Sequence, residues 1–120
     1  MDWERRTHEV FNGLRKEFPE QLLALECLQA TIRTREPGQS FTADVLFDLV
    51  EPDSKRVLVI ILGCLCDRGV LRSFIRLQLP GENEASEYPE LLEVPRSVTA
   101  ENGSMLTVLL EHLELRYACH

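Results

Sequence analysis

The sequence predicts an α+β fold, mainly helical through its first two-thirds and extended in the remainder. Three observations predict it. Apolar residues recur at helical spacing in stretches near 3–18, 22–34 and 55–67, and between Val70 and Leu79 they switch to strict alternation. Residues 80–120 are then broken by Pro89, Pro95 and Asn102-Gly103 into short pieces. A chain of 120 residues with 44% hydrophobic side chains fills one core and leaves no room for two large ones. The expected organisation is a helical core over residues 1–79, with an acidic loop and small β extension over 80–120 packed on the same domain.

Each element follows from local chemistry. Trp3, Val10, Phe11, Leu14 and Phe18 lie on one helical face. Phe18-Pro19 breaks that helix, because a residue before proline avoids the helical region. Pro19 suits the first turn of a second helix that runs to about Thr34 and is expected to bury Leu22, Leu25, Cys27, Leu28 and Ile32, with Pro37-Gly38 as its stop. Ser40 or Thr42 caps a short third helix expected to bury Val45, Leu46 and Leu49. Glu51-Pro52-Asp53-Ser54 is a tight connection in which Asp53 or Ser54 caps a longer apolar helix over Lys55 to Asp67, and Gly69 supplies the left-handed residue after it.

In the stretch that follows, Leu71, Ser73, Ile75, Leu77 and Leu79 face one way and Arg72, Phe74, Arg76 and Gln78 the other, as in a half-buried strand. Residues 80–87 read as a polar loop, and Tyr88 to Val98 as an extended segment interrupted by its prolines. Met105 to Cys119 carries both spacings: Leu106, Leu109, Leu110 and Leu113 suit a helix, whereas Leu113, Leu115 and Tyr117 alternate. The preferred reading is a strand near 105–109, a short turn, and a second strand near 113–118.

A short helix, a brief turn, a longer helix closing on glycine and then a strand running into a loop resembles a winged helix-turn-helix. The stretch that carries the resemblance is Ile61-Leu62-Gly63-Cys64-Leu65-Cys66-Asp67-Arg68-Gly69-Val70-Leu71-Arg72, within a match over roughly Gln39 to Leu79. Several bacterial members continue from the wing strand into a small β-ribbon. Arg76-Leu77-Gln78-Leu79-Pro80, Leu92-Glu93-Val94-Pro95 and Leu113-Glu114-Leu115-Arg116-Tyr117 are similar to that layout. Zinc-bearing versions place paired cysteines near Pro80 and around Asn102-Gly103; this sequence has none there, so packing rather than metal must hold such a ribbon.

Charge narrows the function classes. The chain has 13 Lys and Arg against 20 Asp and Glu, a net charge of −7. Residues 1–79 are nearly balanced, while residues 80–120 set only Arg96 and Arg116 against eight glutamates. A phosphate-binding protein concentrates cations on one face, so the overall balance opposes nucleic acid as a partner. No apolar run reaches the roughly 18 residues of a membrane span, and the mixed-charge start Met1-Asp2-Trp3-Glu4-Arg5-Arg6 lacks the apolar core of a signal peptide. The expectation is a cytoplasmic protein with no membrane partner.

The chemistry of small sites is sparse. Cys64 and Cys66 are two apart on a helix and point about 200° from each other, so they cannot ligate one ion. They are read as small buried or half-buried apolar groups, Cys119-His120 as too short a tail to form a site, and the chain as holding no metal and no cofactor. His8, His112 and His120 are expected on exposed positions, and none stands with a nucleophile and an orienting acid. Glu111-His112 and Glu101 offer acid–base groups without a convergent cluster, and neither a P-loop nor a dinucleotide fingerprint is present. The chain is therefore not expected to be an enzyme, and no catalytic residue is assigned.

What remains is surface. The helix after Ser54 reads Val57-Leu58-Val59-Ile60-Ile61-Leu62, apolar on nearly every side, so it is either deeply buried or part of an interface. The first expectation is a winged-helix-like protein–protein interaction module, a subunit or adaptor of a larger bacterial assembly, meeting another protein or a second copy of itself through Val59, Ile60, Phe74, Arg72 and Arg76. The alternative is a DNA-binding transcriptional regulator in which Lys55 and Arg56 open the recognition helix and Arg72 and Arg76 line the wing.

Overall fold

The computed structural model describes residues 2–35, 39–50, 54–100 and 102–120. Helix α1 spans Asp2–Glu17 and buries Thr7, Phe11 and Leu14, positions separated by four and three residues. The Trp3 indole N–H donates to the Val70 carbonyl oxygen at 3.1 Å, fixing the start of α1 against the chain that follows the fourth helix. Phe18-Pro19 breaks the helix as the sequence requires, and a 3-10 turn over Pro19–Gln21 leads into α2, Leu22–Arg33. Helix α2 buries Ala24, Leu25, Leu28 and Ile32, whereas Leu22, expected in the core, is 48% exposed because it opens the helix on the outer side of that stripe. The expected stop at Pro37-Gly38 lies outside the described residues.

Strand β1, Ser40–Thr42, precedes α3, Ala43–Val50. The Thr42 hydroxyl accepts from the Val45 N–H at 3.3 Å, so Thr42 caps α3. The buried side of α3 is Leu46 and Val50, four apart; Val45 and Leu49, also four apart, form the adjoining stripe and are exposed. The expected burial of Val45 and Leu49 is thus corrected. The expected connection at Glu51-Pro52-Asp53 falls outside the described residues, but Ser54 is the cap of α4, Lys55–Asp67: its backbone is extended and its Oγ accepts from the Val57 N–H at 3.1 Å. Past α4, Gly69 holds φ at +78°, the left-handed conformation that ends a helix at little cost only in glycine.

Strand β2 spans Leu71–Leu77, β3 Ser86–Tyr88, β4 Ser97–Thr99, β5 Met105–Thr107 and β6 Leu113–Cys119. β1, β6, β2 and β3 form one sheet in that order, and β4 and β5 form a separate two-stranded ribbon. β2 and β3 are antiparallel, with Arg76 opposite Glu87. Of the strands expected near 105–109 and 113–118, the first is shorter, Met105–Thr107, and the second is Leu113–Cys119; a further strand, Ser86–Tyr88, begins within the stretch expected to be loop. In β2 the simple alternation fails. Leu71 and Leu77 are buried, but so is Phe74, which belongs to the other face; Ser73, on the Leu71 face, is exposed. Both faces of β2 are therefore covered at some position.

Two compact units make up the chain: Met1–Arg72 with Tyr117–His120, and Ser73–Arg116. The chain leaves the first unit within β2 and returns within β6. In the first unit, α1 packs on α2, α2 on α3 and α3 on α4, around a core that includes Phe11, Leu25, Phe41, Leu46, Leu62 and Leu65. In the second unit the buried apolar residues among those described are Phe74, Leu77 and Leu79. The α+β class predicted from the sequence is the class observed.

Candidate interaction surface

The best-defined surface is the outer face of α4. Leu58, Ile61, Leu62 and Leu65, at spacings of three, one and three, form the buried stripe. That leaves Lys55, Arg56, Val59, Ile60 and Gly63 facing outward. Val59 is 43% exposed and Ile60 47%, and a Cβ placed at Gly63 would meet nothing within 4 Å, so the middle of the face is open and apolar. Helix α3, packed on α4, exposes Val45 and Leu49 as well.

The structure separates the expected contact residues. Val59 and Ile60 stand on the exposed face of α4. Phe74 does not belong with them: it is 5% exposed, and a side chain so covered offers no area to a partner. Arg72 is exposed and Arg76 half-buried. A guanidinium N–H of Arg76 donates to a Glu87 carboxylate oxygen at 3.2 Å across β2 and β3, while its Nε is buried with no hydrogen-bond partner among the described residues. Lys55 is paired with the Asp44 carboxylate of α3. Arg56 is exposed, with no ion pair or hydrogen bond among the described residues.

The titratable groups do not assemble into a reactive centre. His112, expected to be exposed, is half-buried, and its Nδ1 accepts from the Leu109 N–H at 3.0 Å, a structural hydrogen bond that closes a 3-10 turn. Glu101 lies outside the described residues. All four cysteines are half-buried free thiols. Burial pushes the Cys119 thiol above its ordinary value, against the opposing pull of Arg35, so it stays protonated near neutral pH. No group of three or more His, Cys, Asp or Glu able to hold a metal ion occurs among the described residues. Among the described residues no helix is long and apolar enough to cross a membrane. Between α1 and α2 runs an open cleft of about 440 Å³, lined by Trp3, Arg5, His8, Gln29 and Arg33 among others.

No protein family, curated protein or solved structure matches the chain. The residues themselves must therefore carry the functional reading. Sequence reasoning found Val59 and Ile60 from the apolar run of α4, but it missed a second exposed apolar set in the acidic third. Leu92 is 95% exposed and Leu110 81%, each in a Leu-Leu pair beside glutamate. The signal was present in Glu90-Leu91-Leu92-Glu93 and Leu109-Leu110-Glu111, where two adjacent leucines cannot both turn inward on a short segment.

Proposed function

We propose that this chain is a non-enzymatic, winged-helix-like protein–protein interaction module, a subunit or adaptor that meets its partner through the outer face of α4. The observation that carries the reading is the pair Val59 and Ile60, each nearly half exposed, in the middle of the helix that a winged-helix regulator would lay against DNA. Two aliphatic side chains there give a duplex nothing to hydrogen-bond, and they favour an apolar protein surface.

The winged-helix part of the proposal is supported by the order α2, β1, α3, α4, β2 and by a sheet in which the returning strand β6 lies between β1 and β2. On that reading the wing is the long excursion between β2 and β6, which carries most of the net negative charge. The same features weigh against a duplex partner: Lys55 and Arg76 already have carboxylate partners, and an acidic wing repels phosphate.

Sedimentation of the wild-type chain, alone and with extract fractions from its host, should reveal a complex that Val59→Asp or Ile60→Asp abolishes while the circular dichroism spectrum is unchanged. Normal assembly by both variants overturns the assignment of α4. Fluorescence anisotropy with a random DNA duplex at low and physiological salt tests the alternative. Salt-sensitive binding that Lys55→Glu/Arg56→Glu removes would replace the protein reading with a DNA-binding one.

A further inference from the structure

The cleft between α1 and α2 has two sides of different chemistry. Trp3 and Thr7, four residues apart on α1, supply one of them. Neither side chain has a proton left for a ligand. The indole N–H of Trp3 is committed to the Val70 carbonyl at 3.1 Å, and the buried Thr7 hydroxyl donates to the Trp3 carbonyl at 2.6 Å. What Trp3 leaves to the cleft is the carbon surface of a half-buried ring.

Gln29 and Arg33, again four apart, supply the α2 side, and the groups they leave free are donors. A guanidinium of Arg15 donates to the side-chain oxygen of Gln29, and a second N–H of the same guanidinium donates to the Asn12 side-chain oxygen at 2.8 Å. Because a guanidinium has no acceptor, Arg15 fixes which end of the Gln29 amide faces it. The two amide N–H groups of Gln29 are thereby left without a protein partner among the described residues. Arg33 is exposed and has no ion pair or hydrogen bond among the described residues.

Charge follows the same division. Two arginines, Arg5 and Arg33, line the cleft against the single carboxylate of Glu4, with His8 as the other titratable group. Arg5 already pairs with Glu9, one turn further along α1, at 3.6 Å. Arg33 is therefore the cation left for a ligand, in a chain whose net charge is −7. One unshared guanidinium beside two amide N–H groups suits a head of a single negative charge, since a carboxylate accepts from a guanidinium and an amide together.

We propose that this cleft binds a small aromatic monocarboxylate, with its ring against Trp3 and its carboxylate on Arg33 and the amide N–H groups of Gln29. A volume of about 440 Å³ is that of a small-molecule site rather than of a lone ion. An apolar wall with donors across from it places a ring and an acid group at the two ends of one ligand. The site lies on α1 and α2, and its occupancy does not depend on any partner of α4.

Trp3 is the only tryptophan of the chain, so its fluorescence reports on the cleft directly. The probe is hydrocinnamate, with three controls: hydrocinnamide lacks the charge, acetate lacks the ring, and phenyl phosphate carries a second charge. Hydrocinnamate should change the Trp3 emission saturably in the submillimolar range, hydrocinnamide should bind at least tenfold more weakly, and acetate should leave the emission unchanged. Arg33→Met should weaken hydrocinnamate at least tenfold and leave the circular dichroism spectrum intact, because Arg33 is exposed. Gln29→Leu should weaken it severalfold. Arg96→Met removes an exposed arginine from the second unit and should change nothing, which separates a local cation from net charge. No saturable change with hydrocinnamate, equal binding of the amide, or undiminished binding by Arg33→Met overturns the proposal. Tenfold tighter binding of phenyl phosphate than of hydrocinnamate overturns the singly charged head in favour of a phosphate ester.

Discussion

Tyr117 shows how a single residue in this chain couples packing to protonation. Its ring stacks on Phe41 with centroids 6.3 Å apart and planes inclined by 21°, and Arg35 lies over the other ring at 5.6 Å. Burial first, and the nearby Cys66 second, hold the Tyr117 hydroxyl above its ordinary value of 10.0. Cys119, two residues on, is likewise raised above 9.0 by burial. The folded state therefore keeps two protons that the unfolded chain releases at lower pH. Below pH 9 both states hold them and these groups make stability no function of pH. As pH rises past 9 and then 10, the unfolded state ionises first and stability falls. Urea unfolding at a series of pH values should show this decline beginning near pH 9, and Tyr117→Phe/Cys119→Ala should flatten it. A decline of the same steepness in the double variant would assign it to other groups.

Among the elements, β2 and α4 divide the apolar residues that the sequence leaves equivalent. Val59 and Phe74 both read as candidates for a contact, yet one stands on an open helical face and the other is covered. The two should respond oppositely to charge. Val59→Asp places a carboxylate in water and should leave thermal unfolding within about 0.5 kcal/mol of wild type. Phe74→Ala should cost about 3–5 kcal/mol, as large aromatics removed from a core do, and Phe74→Lys should prevent folding. Denaturant titration of the three variants checks this contrast. A Phe74→Lys protein as stable as wild type would mean that the second unit buries nothing of consequence there. In helix α3 the spacing alone does not decide: Leu46 shares a face with Val50 at four residues and with Leu49 at three, and the packing covers Leu46 and Val50 while leaving Val45 and Leu49 exposed.

At the scale of the whole molecule, the two units differ in how much apolar surface they cover. The first has a continuous core, mostly leucine, isoleucine and phenylalanine, drawn from four helices and from strands β1, β2 and β6. In the second, Phe74, Leu77 and Leu79 are the buried apolar residues described, while Leu91, Leu92, Met105, Leu109, Leu110 and Leu115 are exposed. Amide hydrogen exchange should therefore be slowest in α2 and α4 and faster in the β4–β5 ribbon, since local opening costs less where fewer apolar groups are covered. Equal protection in the ribbon and in α4 would contradict that ranking.

By itself the sequence determined the helices, their breaks and caps, the class of the fold and the place of its acidity. These features rest on local chemistry: proline before α2, Ser54 ahead of α4, Gly69 with its positive φ, and the change from helical to alternating spacing at Val70. It also marked α4 as too apolar to be an ordinary surface helix. Only the tertiary structure decided which of several equally apolar positions are covered, so that Leu22, Val45 and Leu49 stay outside while Phe74 goes in. It alone put β6 between β1 and β2, and paired β4 with β5 in a ribbon of its own. The reason is that burial and strand pairing depend on partners distant in sequence, whereas capping, helix breaking and periodicity are settled within a few residues.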